Sequence, residues 1–494
     1  MRSKKFYVTT SIAYTNSIPH IGFALEVVQA DVIARYRRSQ GKDVFFLTGT
    51  DEHGAKIVKA AIEAQKNPKE FTDQISSQFR KLADILNLSI SDFIRTTDQK
   101  KHWPSVKKVW QKLKKNGDIY KKQYYGLYCV GCEAFITKKD LIEGKCAIHK
   151  TASEVVEEEN YFFKLSKYQN QIKKAIKEEK LKIIPERRKN EMLSFISQGL
   201  EDVSFSRPRK NLKWAIPVPD DDSQTIYVWA DALVNYISAL GYEKNSPKFK
   251  KFWPADVHCI GKDILRFHAT IWPGMLLSLG SPLPKNIFVH GFITSGGQKM
   301  SKSLGNVVDP FELVKKYGSA GSPQAGTDAV RYFLLREIPP VEDGDFTFEK
   351  FEARYNADLA KGLGNLVSRV IALCGKLKIK NEKAKTTIKN LKLKKFIRQT
   401  RKKCSKALDE FKFNEALAVI WDLISYCDKY IEQTRPWEQS KNQRTAIKEL
   451  LFALGNIAEL LEPFLPETAG KIKAQLKTLQ SKPLFPRTDL DKSF

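Results

Sequence analysis

The 494-residue sequence predicts an α/β protein in which a long insertion splits a parallel sheet and an all-α helix bundle follows. The first 47 residues alternate strand, helix and strand patterns, and further buried-strand patterns return only after residue 250. Beyond about residue 350 the periodicity is almost wholly helical. A chain of this length exceeds one compact core, so we expect two to four domains.

The amino-terminal part is a strand–helix–strand pattern. Phe6–Thr10 is a β-branched and aromatic run, which is typical of a strand. Ile21–Arg38 has helical spacing and ends in arginines before a stop at Gly41. Asp43–Leu47 then predicts a second strand. Because strands joined through a helix pair in parallel, we expect a parallel sheet.

The second part of the sheet lies much later in the chain. Val257–Ile260 and Asn286–Val289 have buried-strand patterns. Between them, Asp263–Leu277 has helical spacing that the Pro273–Gly274 pair should interrupt. A sheet split by an insertion of roughly Tyr124 to Pro217 explains this arrangement.

The carboxy-terminal part predicts a helix bundle. Helical patterns cover Ala357–Leu373, Ala407–Tyr430 and Thr445–Leu461. Residues 318–327, rich in glycine, serine and alanine, predict a flexible linker or loop ahead of the bundle. No internal repeat is visible.

The chain is strongly basic, with 84 Lys and Arg against 56 Asp and Glu, a net charge of +28 and a pI near 9.6. This excess indicates either a polyanionic partner or a lysine-rich solvated surface. Lys376–Lys406 carries fourteen basic residues and one acidic residue, Glu382. The same two interpretations apply to that run, a solvated face or contact with RNA.

Nothing in the sequence predicts a membrane span or a targeting segment. No run of eighteen apolar residues occurs, and Met1–Lys5 leads directly into the first strand pattern. We therefore expect a cytoplasmic protein. Four of the seven cysteines are scattered and predict buried thiols in a reducing compartment: Cys259, Cys374, Cys404 and Cys427.

The other three cysteines form a cluster with a histidine. The candidate ligands are Cys129, Cys132, Cys146 and His149. Two close pairs separated by thirteen residues fit a tetrahedral zinc ion. Since all four ligands come from the protein, the site would be structural; the alternative is four unrelated polar residues in a loop.

A histidine and a glycine mark the start of the first helix. His20 follows Pro19 and precedes Gly22. Backbone N–H groups at a helix start favour anions, and glycine lets a phosphate or base approach the backbone closely. We favour phosphate contact for His20 over the alternative of a satisfied core histidine.

A lysine-rich string, Lys299–Ser303, lies far along the chain. It is entered through Ser295-Gly-Gly-Gln, whose glycines permit hinge motion. A lysine that swings onto a triphosphate stabilises charge during attack at the α-phosphorus. Alone the string indicates only a solvated loop; together with Pro19–Gly22 it predicts nucleotide activation.

Aromatic residues form a third group. Trp229 and Leu233 or Tyr236 share one helix face, and His268 and Trp272 lie four residues apart. By periodicity alone these residues belong to a core.

Taken together, these motifs resemble the bacterial-type methionyl-tRNA synthetases, which are class I aminoacyl-tRNA synthetases. The resemblance covers nearly the whole chain. Besides the Cys/His cluster it includes Tyr7–Asn16, Pro19–Gly22, Phe46–Gly54, Tyr227–Leu233, Gly261–Ile264, Lys299–Ser303, Arg331–Glu337, Gly364–Arg369 and Pro436–Trp437.

The resemblance implies a domain order. A Rossmann-like catalytic domain would occupy 1–115 and 226–317, split by a connective insertion with zinc knuckles at 116–225. A stem-contact segment at 318–355 and an α-helical anticodon-binding domain at 356–494 would follow. The reaction would activate L-methionine with Mg²⁺ and ATP to methionyl-adenylate and transfer it to the 3′ ribose of tRNA(Met), for initiation and elongation. One structural Zn²⁺ would be present.

The resemblance also implies roles for individual residues. His20, Lys299 and Lys302 would be catalytic, and ATP would be bound by His20, Gly22, Gly261, Asp263, Lys299, Ser301 and Lys302. Methionine would be bound by Ile12, Tyr14, Asp51, Trp229, Ala232, Leu233, Tyr236, Ile264, His268 and Trp272, with Asp51 facing its amine. The anticodon would be read by Asn365, Arg369 and Trp437. An aromatic slot suits a polarisable thioether.

Several features depart from the family pattern. Phe23 stands where a second histidine often follows the first signature, and His149 replaces a cysteine as the fourth zinc ligand. The connection formed by residues 318–327, which follows the lysine-rich string Lys299–Ser303, is longer than is usual in the family. The chain ends at Phe494, after the bundle, without the dimerisation module that some relatives append. We therefore expect a monomer.

Two alternatives compete with this assignment. Synthetases for leucine, isoleucine and valine carry large editing insertions, for which Tyr124–Pro217 leaves no room, and the cysteine enzyme holds zinc in its active site. A non-catalytic tRNA-binding protein derived from a synthetase is the second alternative. The presence of His20, Lys299 and Lys302 argues against it.

Overall fold

A computed structural model describes residues 4–129, 134–136, 141–146, 150, 152–300, 305–318, 323–377, 379, 390–438 and 443–486. It divides into two compact units. The first comprises Met1–Pro19, Gly41–Lys81 and Ile90–His290. The second comprises His20–Gln40, Leu82–Ser89 and Gly291–Phe494. In the described ranges no helix is both long enough and apolar enough to span a membrane.

The strands of the first unit build a parallel sheet and several small antiparallel sheets. In chain order the strands of the whole chain are β1 (Lys5–Thr10), β2 (Ala13–Tyr14), β3 (Asp43–Asp51), β4 (Asp92–Arg95), β5 (Ile119–Cys129), β6 (Ala134–Ile136), β7 (Leu141–Ile142), β8 (Lys145–Cys146), β9 (Glu154–Phe163), β10 (Lys182–Ile184), β11 (Val203–Ser204), β12 (Ser206–Pro208), β13 (Pro217–Val218), β14 (Asp221–Ile226), β15 (Val257–Gly261), β16 (Asn286–His290), β17 (Ile293–Ser295), β18 (Gln298–Lys299) and β19 (Gly344–Phe346).

The seven-stranded sheet has the order β10-β16-β15-β1-β3-β2, with β4 also paired to β3, and each pairing is parallel. Val8 in β1 pairs with Phe46 on one side and Val257 on the other. The two sequence-predicted parts of the sheet therefore join at β1 and β15, which confirms the split parallel sheet. Strand β3 continues to Asp51, beyond the predicted end at Leu47.

Within the insertion, β5 and β9 form a long antiparallel ladder that β6 and β11 extend. β7 pairs with β8, and β14 pairs with both β12 and β13. The strands of the second unit, β17, β18 and β19, form one small sheet.

The helices are α1 (Ile21–Ser39), α2 (Ala55–Glu63), α3 (Pro68–Ile85), α4 (Trp103–Lys115), α5 (Gln169–Lys177), α6 (Glu186–Ser197), α7 (Val228–Ala232), α8 (Asn235–Ser238), α9 (Pro247–Phe252), α10 (Trp272–Ser278), α11 (Pro310–Tyr317), α12 (Pro323–Arg336), α13 (Phe348–Arg354), α14 (Asn365–Lys376), α15 (Leu391–Asp409), α16 (Phe413–Thr434), α17 (Gln443–Leu461) and α18 (Pro466–Thr478). Short 3₁₀ segments cover Leu165–Tyr168, Tyr242–Lys244 and Lys262–Ile264, and π-helical segments cover Phe267–Ile271 and Tyr355–Gly364.

The helical connection between β15 and β16 is irregular before the Pro273–Gly274 pair, but the predicted interruption at that pair is wrong, because both residues lie within α10. A 3₁₀ turn over Lys262–Ile264 and a π segment over Phe267–Ile271 precede α10, which has proline in its first turn. Proline lacks a backbone N–H, so it is tolerated at the start of a helix.

The predicted linker over 318–327 is wrong for its second half, because α12 begins at Pro323. A Cβ on Gly326 would lie 2.0 Å from the carbonyl oxygen of Val314. This glycine lets α12 approach α11 closely rather than adding flexibility. Residues 319–322 lie outside the described residues.

The predicted single helix Ala407–Tyr430 is also wrong. It is two helices, α15 and α16, separated at residues 410–412. Phe411 has a φ of 59° and is buried. A left-handed residue between two helices reverses the chain, and the apolar Phe411 side chain hides the turn from a pattern based on hydrophobic spacing.

Candidate active site

The first signature, Pro19–Gly22, lies at the start of helix α1, which belongs to the second unit. His20 precedes the helix, and its Nδ1 accepts a hydrogen bond from the Gly22 backbone N–H at 3.1 Å. A Cβ at position 22 would lie 2.8 Å from His20 Cε1, so glycine is needed for the imidazole to fold onto the helix end. Burial lowers the pKa of His20. The neutral ring then carries its hydrogen on Nε2, because Nδ1 is an acceptor.

The second signature, Lys299–Ser303, begins in the second strand of a tight hairpin in the same unit. Strands β17 and β18 are joined through Gly296 and Gly297, whose φ angles are 60° and 76°. Asp345 Oδ1 accepts hydrogen bonds from the Gly297 N–H and the Thr294 hydroxyl, each at 2.7 Å. This carboxylate anchors the hairpin base, and Lys299 follows the turn with an exposed side chain.

The structure brings the two signatures together, although they are nearly 280 residues apart in the chain. The Ile21 N–H donates to the Val308 carbonyl at 3.1 Å. Met300 Cε lies 4.0 Å from the position that a Cβ on Gly22 would take. The segment that carries Lys299 and Met300 therefore runs past the first turn of α1. Ser301 and Lys302 lie outside the described residues.

The aromatic group forms a buried cluster in the first unit. The Tyr236 hydroxyl lies 2.7 Å from His268 Nε2, and the Tyr236 and Trp272 ring centres are 5.9 Å apart. His268 Nδ1 lies 3.0 Å from the Ile264 carbonyl, which can only accept. His268 Nδ1 is therefore protonated, and the Tyr236 hydroxyl donates to Nε2. Burial lowers the pKa of His268 to about 4.

The other predicted pocket residues lie around this cluster. Leu233 belongs to the same core, and Ala232 is buried. Four partly exposed residues pack against this core: Ile12, Tyr14, Trp229 and Ile264. Phe267, which the sequence did not indicate, stacks on Trp229 with ring centres 3.8 Å apart at 6°. Its place directly before His268 was the available signal.

Asp51 lies at the carboxyl end of β3, opposite Tyr14 of β2. Its side chain is 7% exposed, and its Oδ1 accepts a 3.4 Å hydrogen bond from the Thr96 hydroxyl. Gly261 is the last residue of β15, and Asp263 follows it with an exposed side chain. A Cβ on Gly261 would lie 2.7 Å from Asp263 Oδ1. Ligands of open parallel sheets bind at this edge.

The buried carboxylate of Asp231 lies between two histidines, an arrangement that the sequence did not indicate. Asp231 Oδ2 lies 2.7 Å from His53 Nδ1, and Asp231 Oδ1 lies 2.7 Å from His102 Nε2. Burial opposes ionisation of Asp231, but the two imidazoles outweigh it and lower its pKa. Because Asp231 is two residues after Trp229 and His53 is two residues after Asp51, this contact ties two predicted pocket segments together.

The predicted anticodon residues form an exposed group in the second unit. Asn365 and Arg369 are one turn apart on α14. The Arg369 guanidinium lies 5.8 Å from the centre of the Trp437 ring, and its Nη2 lies 2.6 Å from Glu432 Oε1. Trp437 is 44% exposed. Three residues from two distant sequence motifs therefore share one surface.

Two of the four predicted zinc ligands are described. Cys129 ends β5 and Cys146 ends β8, and both side chains are buried in one small cluster with Leu127 and Leu141 around it. Cys132 and His149 lie outside the described residues. No group of three or more His, Cys, Asp or Glu side chains suited to a metal ion occurs in the part of the chain that the structure describes.

Comparison with known families gives a consistent result over almost the whole chain. A family model described as tRNA synthetases class I (M) matches residues 6–146 and 136–371. A second model, the anticodon-binding domain of tRNA ligase, matches residues 390–491.

Individual relatives agree. The methionine–tRNA ligase of Thermotoga maritima is 44% identical over 480 residues, covering 95% of this chain and 74% of that protein. The methionine–tRNA ligase of Rickettsia bellii is 42% identical, covering 98% and 95%. The structure of Mycobacterium tuberculosis methionyl-tRNA synthetase with methionyl-adenylate is similar with a TM-score of 0.89 and 36% identity, covering 98% of this chain and all of that one.

Proposed function

The chain belongs to the methionine–tRNA ligases, a family of class I tRNA synthetases, and from that premise we propose how its residues divide the reaction. The enzyme activates L-methionine with ATP to methionyl-adenylate and transfers the methionyl group to tRNA(Met). The observation that carries the proposal is the meeting of the two signatures at the start of α1, where Ile21 bonds Val308 and Met300 approaches Gly22.

Adenylate formation is a displacement at phosphorus. A methionine carboxylate oxygen attacks the α-phosphorus, the bond to the bridging oxygen breaks, and diphosphate leaves with the added negative charge. The Nε2–H of His20 donates to a phosphate oxygen, and the ammonium groups of Lys299 and Lys302 stabilise the developing charge. Mg²⁺ arrives with ATP and neutralises its phosphates. Because Phe23 replaces a second histidine, His20 supplies the only imidazole of this signature.

The rest of ATP is held by one carboxylate and one hydroxyl group. Gly22 makes room for the His20 imidazole, and Gly261 makes room for the Asp263 carboxylate, which accepts hydrogen bonds from the hydroxyl groups of ATP. Ser301 contributes a hydroxyl from the lysine loop.

Methionine is held by a carboxylate and an aromatic slot. Asp51 pairs with the substrate ammonium. Sulfur–aromatic contacts favour the thioether by roughly 0.3–1.5 kcal/mol each. The slot is lined by Ile12, Tyr14, Trp229, Ala232, Leu233, Tyr236, Ile264, His268 and Trp272. Because burial lowers the pKa of His268 to about 4, its ring stays neutral beside the apolar substrate, with its two nitrogens bonded to Ile264 and Tyr236.

The exposed group on α14 and after α16 reads the anticodon. Trp437 stacks on a splayed base, while Asn365 and Arg369 contact base edges or phosphate. The adjacent helix α15 adds a cationic face. Its buried residues form one stripe. Exposed lysines lie on the opposite side within an arc of about 100°: Lys392, Lys395, Lys402, Lys403 and Lys406. We propose that this face binds the tRNA backbone.

A zinc ion held by Cys129, Cys132, Cys146 and His149 would stabilise the insertion. Thiolates are preferred zinc ligands, and the buried Cys129 and Cys146 offer two at one place. Cys132 and His149 would complete a closed tetrahedral site whose chemistry is structural. Chelation of the purified protein should release close to one zinc per chain, and a metal-free preparation that keeps full activity and an unchanged melting temperature would refute this assignment.

The decisive experiment is methionine-dependent exchange of diphosphate into ATP. We expect exchange with methionine and none with leucine, isoleucine, valine or cysteine. Exchange with another amino acid, or none at all, would overturn the proposed function. The monomeric state, the cytoplasmic location and the five-part domain order stay predictions, of which sedimentation equilibrium tests the first.

A further inference from the structure

A second histidine, His258, lies behind the methionine slot, and the reaction as proposed above gives it no role. It occupies β15 with 0% of its surface exposed. Its Nδ1 lies 2.7 Å from the Thr9 hydroxyl oxygen, and its Nε2 lies 3.4 Å from Trp272 Nε1. Both ring nitrogens are therefore used by residues of two different elements.

The partners of His258 determine its tautomer. An indole N–H can only donate, so Nε2 of His258 is an acceptor. Nδ1 must then carry the hydrogen of the neutral ring and donate it to Thr9. Burial, with His268 nearby, lowers the pKa of His258 well below its ordinary value, so the ring stays neutral.

The His258 ring also supports Tyr236. The two ring centres are 4.2 Å apart with planes tilted by 34°. Tyr236 is held at its other end by the hydroxyl bond to His268 and by the Tyr7 hydroxyl, which donates to its backbone carbonyl at 2.7 Å. One imidazole thus contacts both large rings of the slot, Trp272 through its indole N–H and Tyr236 through its face.

We propose that His258 is a positioning residue for methionine recognition: its neutral imidazole, anchored on Thr9, holds Trp272 and Tyr236 at the spacing that sets the width of the slot. The inference rests on the proposed assignment of those rings to the methionine site. It predicts a role in amino-acid selection and none in binding ATP.

The test compares His258→Leu, which fills the space without an acceptor, with His258→Gln, which can still accept from the indole. Diphosphate exchange gives KM for methionine, KM for ATP and kcat, and ethionine serves as a longer competitor. For His258→Leu we expect KM for methionine to rise about tenfold, because a buried indole N–H is left unpaired. The preference for methionine over ethionine should fall, while KM for ATP stays unchanged. His258→Gln should recover most of both losses.

Other variants keep the outcome decisive. Thr9→Val removes the anchor without changing shape, and we expect a smaller change in the same direction; it replaces His258→Leu if that variant does not fold. A folded His258→Leu enzyme with unchanged KM and preference overturns the inference. So does an equal rise of both KM values, which indicates a merely structural role. Tyr236→Phe distinguishes failure of the His258 inference from failure of the proposed methionine slot. If Tyr236→Phe also leaves KM for methionine unchanged, the assignment of the slot is itself wrong.

Discussion

The proposed methionine slot and the proposed anticodon group are both built from an aromatic ring and a polar partner, but they differ in exposure. In the slot, Tyr236 and Trp272 are 1% and 0% exposed, and their polar atoms are bonded to neutral histidines. In the anticodon group, Trp437 is 44% exposed and lies beside the charged Arg369. The proposed small-molecule site thus consists of groups that are already hydrogen-bonded and fixed, whereas the proposed RNA-binding group is exposed and would exchange water for a partner on binding.

This difference has an energetic consequence. Removing a buried, bonded group leaves its partner unpaired, so it lowers stability as well as function. Removing an exposed group affects binding and leaves the free energy of unfolding almost unchanged. Variants in the buried group and in the exposed group should therefore differ in their effect on stability.

The largest effect is expected outside both regions, at Lys302, which provides the scale for the others. Lys302→Ala should slow adenylate formation by about 10²–10³-fold, because a cation is lost from the charge that develops in the transition state. KM for methionine should change little. Rapid-quench measurement of adenylate formation gives both values, and the exposed Lys361→Ala is the control. Equal losses in rate and methionine binding would mean that the loop is only structural.

The buried slot should make stability depend on pH. The pKa of His268 is lowered to about 4 in the fold from an ordinary 6.5. Between these values the unfolded chain binds more protons than the folded one, so the free energy of unfolding falls as pH drops from about 6.5 to about 4. The expected loss is about 3 kcal/mol.

Urea unfolding at a series of pH values measures this loss. His268→Gln should remove the share of the dependence that comes from His268, while His258 and His20, whose pKa values burial also lowers, keep their own shares and Trp437→Ala leaves the whole dependence intact. An unchanged slope in His268→Gln would show that His268 is not held neutral by its burial.

The exposed side is tested by Trp437→Ala. Loss of one stacked base should lower kcat/KM for tRNA by about tenfold or more, since stacking is worth about 1–3 kcal/mol. Diphosphate exchange and the free energy of unfolding should stay the same. A parallel fall in the rate of diphosphate exchange would show that Trp437 stabilises the fold of its unit and does not act through tRNA binding.

The smallest effect is expected from α15. Reversing three exposed charges, Lys395, Lys402 and Lys406 to Glu, should lower kcat/KM for tRNA several-fold and flatten its dependence on salt. A matched triple reversal at exposed lysines elsewhere, Lys81, Lys250 and Lys361, carries the same change in net charge. If both triple variants have the same effect, the loss comes from the net charge of the whole molecule, and the α15 face is not a binding surface for tRNA.

Local patterns proved reliable where the signal itself is local. The helical pattern after His20 predicts the helix that the structure shows as α1, whereas the bond from the Gly22 N–H to the His20 side chain was not predicted. Four strands of the parallel sheet, β1, β3, β15 and β16, were recognisable as apolar runs, whereas β2, β4 and β10 were not predicted. The linker prediction at 318–327 failed because the reason for Gly326 is the carbonyl of Val314, a contact that composition does not reveal. Phe411 misled the helix prediction for a similar reason.

The sequence alone determined the family, the two signatures, the candidate slot residues and the division into a split sheet and a helical tail, because each depends on residue type, order and short-range spacing. Only the tertiary structure decided that Met300 passes Gly22, that Asp231 joins His53 to His102, and that His258 lies between Thr9 and Trp272. Those contacts join residues far apart in the chain, and their strength comes from burial and geometry that exist only once the chain has folded.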